Sequence, residues 1–251
     1  MRLLKIETSR LFSEIKNYKL DNIVSFADVF LICLGIFVGT GKDLFPGGTL
    51  AYALLGMILW RYATVCMRTS CSIIQREIRL GTLEQLMMAK YHLIQVIIIR
   101  LLATIFVETM KMSVVSVLLV LIFHIQLDFF ASIGLIVSSI LICLVGTIGI
   151  GSFVASVAIV YKKANALVNS VSYFTLFFTG MILPLEILPV GFSYTAVIFP
   201  FHWCVEIIRR GTIEISFAGL LLVSSLWFVF GIMSFRRAMR CAMESGTTSQ
   251  Y

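Results

Sequence analysis

The chain has 251 residues, of which 59% are apolar and 13% are charged, with a formal net charge of +7 and a mean hydropathy of +1.00. Soluble domains carry roughly 25% charged residues, and a soluble protein of this length has too little interior to hide so much apolar surface. The composition excludes a soluble globular protein and predicts an all-α integral membrane protein, because a helix satisfies its own backbone hydrogen bonds in lipid.

The N-terminal segment, residues 5–20, is charged and amphipathic, which predicts an interfacial helix that lies along the membrane surface. Six apolar stretches follow, each close to the length of about 20 residues that crosses the hydrocarbon. We predict six transmembrane helices near residues 23–41, 49–67, 101–124, 132–160, 164–183 and 215–235. The first of them is the weakest, because Asp28 falls inside it. In the fourth, the cluster Gly146–Gly151 predicts close approach of a neighbouring helix.

The Lys and Arg residues between these spans predict the orientation of the chain. With the N-terminus inside, fourteen of them lie in four cytoplasmic segments and three on the opposite side; the cytoplasmic segments are 1–22, 68–92, 161–163 and 236–251. This distribution predicts a multi-pass protein of the cell membrane with both termini in the cytoplasm. The net positive charge follows from that topology, so no nucleic-acid partner is predicted.

The cytoplasmic connection between the second and third spans, residues 72–90, predicts a short amphipathic helix. Leu83 and Leu86 follow helical spacing, and Thr82 can cap a helix that begins just after Gly81. Two interpretations remain open from the residues alone. The helix either lies on lipid or docks on a partner.

Three charged residues, Arg100, Glu108 and Lys111, form one polar stripe at the start of the third span, at about 100° per residue. One interpretation makes them a pathway lining or a switch. In the other, Arg100 already lies in the cytosol, while Lys111 pairs with Glu108 at i,i+3 and extends toward the membrane surface. Arg61 of the second span lies between two aromatic residues, and we expect it to reach toward the inner interface.

Between the fifth and sixth spans, Pro184, Pro189 and Pro200 interrupt helices while the residues between them are mostly apolar. Such a segment enters the membrane only where protein or water satisfies its backbone. We predict a re-entrant segment before the last span; a hydrophobic surface loop is the alternative.

The sequence contains no catalytic constellation. Gly39–Asp43 superficially matches a P-loop, but that pattern needs a Gly at the position of Ile36 and a Ser or Thr at the position of Asp43. The cysteines and histidines show no metal-ligand spacing. We therefore predict no catalytic, cofactor or metal site, and any ATP hydrolysis has to come from another polypeptide.

The cytoplasmic connection resembles that of a known family. Glu77 followed by Gly81-Thr82-Leu83-Glu84-Gln85-Leu86, between the second and third of six spans, is similar to the permease subunit of ABC-2 type transporters. The resemblance continues at Ile182–Pro189, Phe199–Pro200 and Glu206–Arg209, and it includes the N-terminal interfacial helix. It spans nearly the whole chain, as a single transmembrane domain over residues 1–251.

The resemblance implies roles for these residues. It makes Glu77, Gly81, Thr82, Leu83, Glu84, Gln85 and Leu86 an ATPase-coupling helix, and it places Pro184, Pro189, Pro200 and Glu206 in re-entrant helices on the extracytoplasmic side. It also implies two copies of an ABC ATPase subunit that carry the ATP and Mg²⁺, and a second permease copy or paralogue. The expected function is export of a hydrophobic or amphipathic substrate, with a drug or peptide favoured over a polysaccharide or lipid.

Two alternatives belong to other functional classes. An ATP-independent secondary transporter or channel calls for conspicuous polar residues at mid-membrane or repeated spans, and the sequence shows no convincing repeat. A membrane enzyme ranks last, because no carboxylate pair, histidine cluster or nucleophile supports it.

Overall fold

The computed structural model describes residues 19–40, 49–81, 93–125, 133–161, 164–178, 190–210 and 214–244. This part of the chain contains eight helices and no strand. In chain order the helices are α1 (Lys19–Thr40), α2 (Thr49–Leu80), α3 (Leu93–Phe123), α4 (Ile133–Tyr161), α5 (Asn165–Phe178), α6 (Val190–Ala196), α7 (Pro200–Arg210) and α8 (Glu214–Glu244).

Three of these helices are long and apolar enough to cross a membrane. They contain the apolar stretches Ile94–Phe123 of α3, Ile133–Tyr161 of α4 and Ile215–Ala242 of α8, with 28 to 30 residues each. At a rise of 1.5 Å per residue, each exceeds the roughly 30 Å of hydrocarbon. A shorter apolar stretch, Ile23–Val38, lies within α1. The all-helical membrane class is confirmed, whereas the count of six spans stays a prediction.

Helix α2 is longer than its predicted span. It begins at Thr49 as expected but continues to Leu80, well beyond the predicted end at residue 67. The residues from 68 to 80 include no Gly or Pro, so the helix can continue. Gly81 then takes a φ of +66°, and its N–H donates to the carbonyl of Ile78 at 3.1 Å. This left-handed conformation is a common helix end and favours glycine.

Helix α5 is described over 14 residues, Asn165–Phe178, where the sequence predicts a span over 164–183. Several predicted features lie outside the described residues. These are most of the N-terminal interfacial helix, the coupling residues Thr82, Leu83, Glu84, Gln85 and Leu86, and the prolines Pro184 and Pro189.

The centre of the fold is α4, which packs most extensively against α8 and next against α2. A Cβ on Gly149 would lie 2.5 Å from the backbone nitrogen of Phe228 in α8, and a Cβ on Gly151 would lie 3.1 Å from the carbonyl oxygen of Cys66 in α2. Gly146 likewise packs against Pro200, where a Cβ would lie 2.9 Å from Cγ. The predicted close approach at the glycine cluster is confirmed.

The outer surface of the bundle is apolar, as expected for helices in contact with lipid. Large side chains such as Phe106 and Val117 of α3 and Leu226 of α8 are more than half exposed. Inward-facing residues of the same helices are fully buried, for example Leu119 and Leu220. Charged residues inside this bundle are therefore exceptions that need partners.

Candidate functional site

An ion pair joins α2 to α3 deep inside the bundle. Arg61 Nε lies 3.1 Å from Glu108 Oε2, and the two side chains are only 11% and 8% exposed. Lys111 Nζ lies 3.5 Å from the other carboxylate oxygen, Oε1, of Glu108. We call Arg61, Glu108 and Lys111 the charge cluster. Each oxygen of its single carboxylate contacts a different cation.

The position of the charge cluster explains why it must be paired. Arg61 lies about 18 Å from the start of α2 and Glu108 about 22 Å from the start of α3, so both are far from the helix ends. A buried charge is costly unless it is paired and hydrogen-bonded. Because an arginine stays protonated in proteins, it needs an anion in the interior of the bundle, and Glu108 supplies one.

The residues beside Arg61 extend the polar contacts of α2. Tyr62 Oη lies 3.0 Å from Thr109 Oγ1. The Thr109 hydroxyl donates its own hydrogen to the carbonyl of Ile105 at 2.8 Å, so Tyr62 is the donor in that pair. On the other side, Trp60 Nε1 donates to the carbonyl of Ser172 in α5 at 2.9 Å. Three successive residues of α2 thus bind two neighbouring helices.

A second ion pair ties the same two helices near the end of α2. Glu77 Oε1 lies 3.7 Å from Arg100 Nη1, with side chains 12% and 15% exposed. Glu77 is about 24 Å further along α2 than Arg61. Arg100 is therefore largely buried between α3 and the last turns of α2, and its level relative to the membrane stays a prediction. The three charges of the predicted stripe divide into two groups, each paired with a residue of α2.

The short helices α6 and α7 are joined by a turn at residues 197–199. Trp203 Nε1 donates to the carbonyl of Val197 at 2.9 Å, and Trp227 Nε1 donates to the carbonyl of Ile198 at 2.7 Å. Phe199 stacks on the ring of Trp227, with centroids 5.9 Å apart. Two indole groups thus satisfy the carbonyls of this non-helical backbone, a condition that irregular backbone at membrane depth must meet.

Two of the residues predicted for the re-entrant segment belong to α7. Pro200 is its first residue, where a missing N–H costs nothing, and it is buried against Gly146. Glu206 lies one turn after His202, with 3.4 Å between Oε2 and Nε2. Cys204 and Ile207 of α7 are fully buried, so the helix packs on the bundle, and its polar pair is itself mostly buried, with side chains 14% and 21% exposed.

The comparison with protein-family models gives the family. Residues 4–213 match the model of the ABC-2 type transporter. The chain belongs to the ABC-2 type transporter family. The match includes α1 to α7 and covers the predicted coupling residues, the charge cluster and the segment from Pro184 to Pro200. No curated protein matches the chain.

Family membership defines the chain as the membrane component of an ABC transporter. As an ABC-2 type transporter component it takes part in transport, and members of the family normally work with an ABC ATPase. Among the residues the structure describes, no group of three or more His, Cys, Asp or Glu could hold a metal ion.

The sequence interpretation missed Arg61 as a member of the site. Its partner Glu108 is 47 residues away in the chain, so no local spacing rule connects the two. The sequence nevertheless contains a signal for the pairing of Arg61 with Glu108. A permanent cation inside a long apolar stretch requires an acidic partner at similar depth, and Glu108 is the acidic residue in the next apolar stretch.

Proposed function

We propose that this ABC-2 permease forms half of a transmembrane pathway and that a separate ABC ATPase, present in two copies, drives export through it. ATP and Mg²⁺ bind to the ATPase subunits, and a second permease copy or a paralogue completes the pathway. The complex resides in the cell membrane with both termini of this chain in the cytoplasm. The substrate is hydrophobic or amphipathic, with a drug or peptide favoured by the resemblance of the segment from Pro184 to Glu206.

One observation carries the coupling part of this proposal: α2 is continuous from Thr49 to Leu80. A helix of 32 residues is about 48 Å long, well beyond the roughly 30 Å of hydrocarbon. Its last turns therefore project from the membrane, and the proposed coupling segment, residues 81–86, follows directly. A helix without a break transmits a displacement along its axis.

The two ion pairs extend that displacement to α3. When the ATPase subunits close on ATP, they move residues 81–86, and α2 moves with them. Because Glu77 holds Arg100 and Arg61 holds Glu108, α3 follows at two levels. The pair of α4 and α8 stays in place, and the cavity between the two permease halves opens outward. Charged pairs suit this task because they fix one helix on another at defined points.

The proposal is tested by purifying the tagged permease from its native membrane and identifying its associated chains. We expect a stoichiometric ATPase in the wild-type complex and its loss in Glu84→Ala and Leu86→Ala. Glu244→Ala is the matched control, because it removes an exposed carboxylate at another end predicted to be cytoplasmic. If both variants of the coupling segment keep the ATPase and full transport, the coupling assignment is wrong. A wild-type complex without an ATPase favours a channel or secondary transporter.

The orientation is tested by cysteine labelling with a reagent that does not cross membranes. In a Cys241→Ser background, Arg79→Cys reports on the end of α2 and Tyr194→Cys on α6, and both positions are exposed. We expect Tyr194→Cys to react in intact cells and Arg79→Cys to react only after the cells are opened. The reverse pattern would contradict the cytoplasmic position of the coupling segment.

A further inference from the structure

One side of α8 is apolar along its middle and basic near its end. The large apolar side chains of this side are all more than half exposed, and they are Leu222, Leu226, Val229, Phe230 and Met233. The same helical spacing continues with three exposed arginines, Arg236, Arg237 and Arg240. At about 100° per residue, all of these residues lie within about 120° of one another around the helix axis. We call this continuous surface the outer face of α8.

The outer face of α8 points away from the rest of the bundle. The fully buried residues of the helix, such as Leu220 and Phe235, lie on the opposite side. Within the described part of the chain, none of the three arginines makes an ion pair or a hydrogen bond through its side chain. Glu244 follows one turn after Arg240, so the charged residues at this end carry a surplus of two positive charges. An anionic ligand therefore finds guanidinium groups that no described residue occupies.

The arginines lie where α8 is long enough to have left the hydrocarbon. The apolar stretch of α8 begins at Ile215, and Arg236 and Arg240 lie about 32 and 38 Å further along the helix. Because the hydrocarbon is roughly 30 Å thick, these distances correspond to the level of the lipid headgroups.

A tyrosine of α4 marks the same level independently. Gly146 and Gly149 of α4 meet Ser224 and Gly231 of α8 in that order, so the two helices run in the same direction. Tyr161, the last residue of α4, therefore lies near the basic end of α8. It is 71% exposed, and tyrosine is enriched at the boundary between membrane and water.

A phospholipid matches both parts of the outer face. The apolar part, from Leu222 to Met233, is about 16 Å long, which is close to half of the hydrocarbon thickness and so to the length of one acyl chain. Arginine binds phosphate through two parallel N–H groups and is weakly hydrated for a cation. The surplus of positive charge favours an anionic headgroup over a zwitterionic one, and anionic lipids give the cytoplasmic leaflet its negative surface potential.

We propose that the outer face of α8 binds an anionic phospholipid of the inner leaflet, with the phosphate on Arg236, Arg237 and Arg240 and one acyl chain along the apolar part. The inference goes beyond the proposed function and rests on it only for the cytoplasmic position of the C-terminus. A lipid bound in this way fixes the depth of α8 in the membrane.

The test measures lipid binding by the purified full chain in a neutral detergent. The probes are anionic phosphatidylglycerol and zwitterionic phosphatidylcholine, which carry the same fluorescent tail. We expect the wild type to bind phosphatidylglycerol roughly tenfold more tightly, equivalent to about 1.4 kcal/mol. The double variant Arg237→Gln and Arg240→Gln should lose this preference. In the matched control, Arg76→Gln and Arg79→Gln remove two exposed arginines of α2, and the preference should remain.

Glycerol phosphate, which lacks tails, separates a lipid site from a site for any soluble phosphate. We expect it not to displace phosphatidylglycerol at an equal concentration, and displacement would overturn the assignment to a lipid. Equal binding of the two lipids by the wild type overturns the proposal, as does an undiminished preference in the double variant of α8.

A second copy of the chain is the other candidate occupant of the outer face. Met233→Cys in a Cys241→Ser background tests it in membranes treated with an oxidant, because the remaining five cysteines are buried. We expect no crosslinked dimer, whereas an efficient crosslink would show that protein covers this face and would overturn the lipid site. Neither measurement needs an ATPase, so a failure here is distinguishable from a failure of the coupling proposal.

Discussion

Two pairs of helices in this permease are held together by opposite means. Helices α4 and α8 meet through glycines, with Gly149 packed against the backbone at Trp227 and Phe228, and Gly231 against the carbonyl of Gly149. Helices α2 and α3 meet through charges and hydroxyl groups. The first contact depends on close fit of the backbones, whereas the second adds a few directed polar pairs to its apolar packing.

The difference indicates which part of the bundle is suited to move. A backbone contact at a glycine tolerates no shift without steric overlap or an empty space, so α4 and α8 form a rigid unit. An ion pair between long side chains tolerates rotation of the stems while the charged ends stay together. We interpret α4 and α8 as the fixed part and α2 and α3 as the part that transmits motion, with α2 turning about its own glycine contact, Gly151 of α4 against the carbonyl of Cys66.

The largest effect is expected at Glu108. Glu108→Ala leaves Arg61 and Lys111 side by side without the carboxylate that each contacts, and breaking a buried pair in this way costs about 3–5 kcal/mol. We expect a correspondingly lower free energy of unfolding in detergent. Lys111→Met is the comparison variant and should lose much less, because Arg61 keeps Glu108. Equal losses of unfolding free energy in the two variants would show that the Arg61–Glu108 pair does not persist when Lys111 is removed.

A smaller but clear effect is expected in the glycine-packed pair. Gly149→Ala places a Cβ 2.5 Å from the backbone nitrogen of Phe228, which forces α4 and α8 apart. Overpacking of this kind costs about 1–3 kcal/mol. Gly134→Ala, on the same helix, meets no atom within 4 Å and should be neutral or slightly stabilising. Thermal unfolding of the two variants measures the contrast, and similar melting temperatures would contradict the rigid contact.

The smallest effect is expected for a single hydroxyl between α2 and α3. Tyr62→Phe removes the hydrogen bond to Thr109 and should cost about 1 kcal/mol. The loss is limited because Thr109 still donates to the carbonyl of Ile105. Tyr173→Phe, at an exposed position of α5, is the matched control and should leave the unfolding midpoint unchanged. A loss in Tyr62→Phe as large as that in Glu108→Ala would show that the charges are not the main link.

The sequence predicted those features that depend on local pattern. The length of the apolar stretches predicted the helices α3, α4 and α8. The i,i+3 spacing of Glu108 and Lys111 predicted their contact. The change from apolar to charged residues near 68 predicts the end of the membrane span but does not mark the end of the helix, which lies at Leu80. Helix propensity, which continues to Gly81, was the better signal there.

Spacing rules within one helix do not identify long-range partners, and the one sequence signal for Arg61 is the need of a buried cation for an acidic partner. Which residue of α3 meets Arg61 depends on the relative height and rotation of two helices joined by a connection of about a dozen residues, and no single-helix rule fixes either. The same holds for Glu77 and Arg100. The family resemblance places Glu77 in the coupling helix, which stays a prediction, and the structure adds that Glu77 lies in α2 and pairs with Arg100 of α3.

The most direct test of the account is a charge exchange at Glu77 and Arg100, measured as substrate transported per ATP hydrolysed. Glu77→Arg and Arg100→Glu each place like charges opposite one another, so each should lower this ratio severalfold while the ATPase stays bound. The double variant restores an opposite pair and should recover most of the wild-type ratio, as expected for two coupled residues. Wild-type ratios in both single variants would contradict transmission from α2 to α3 through this pair.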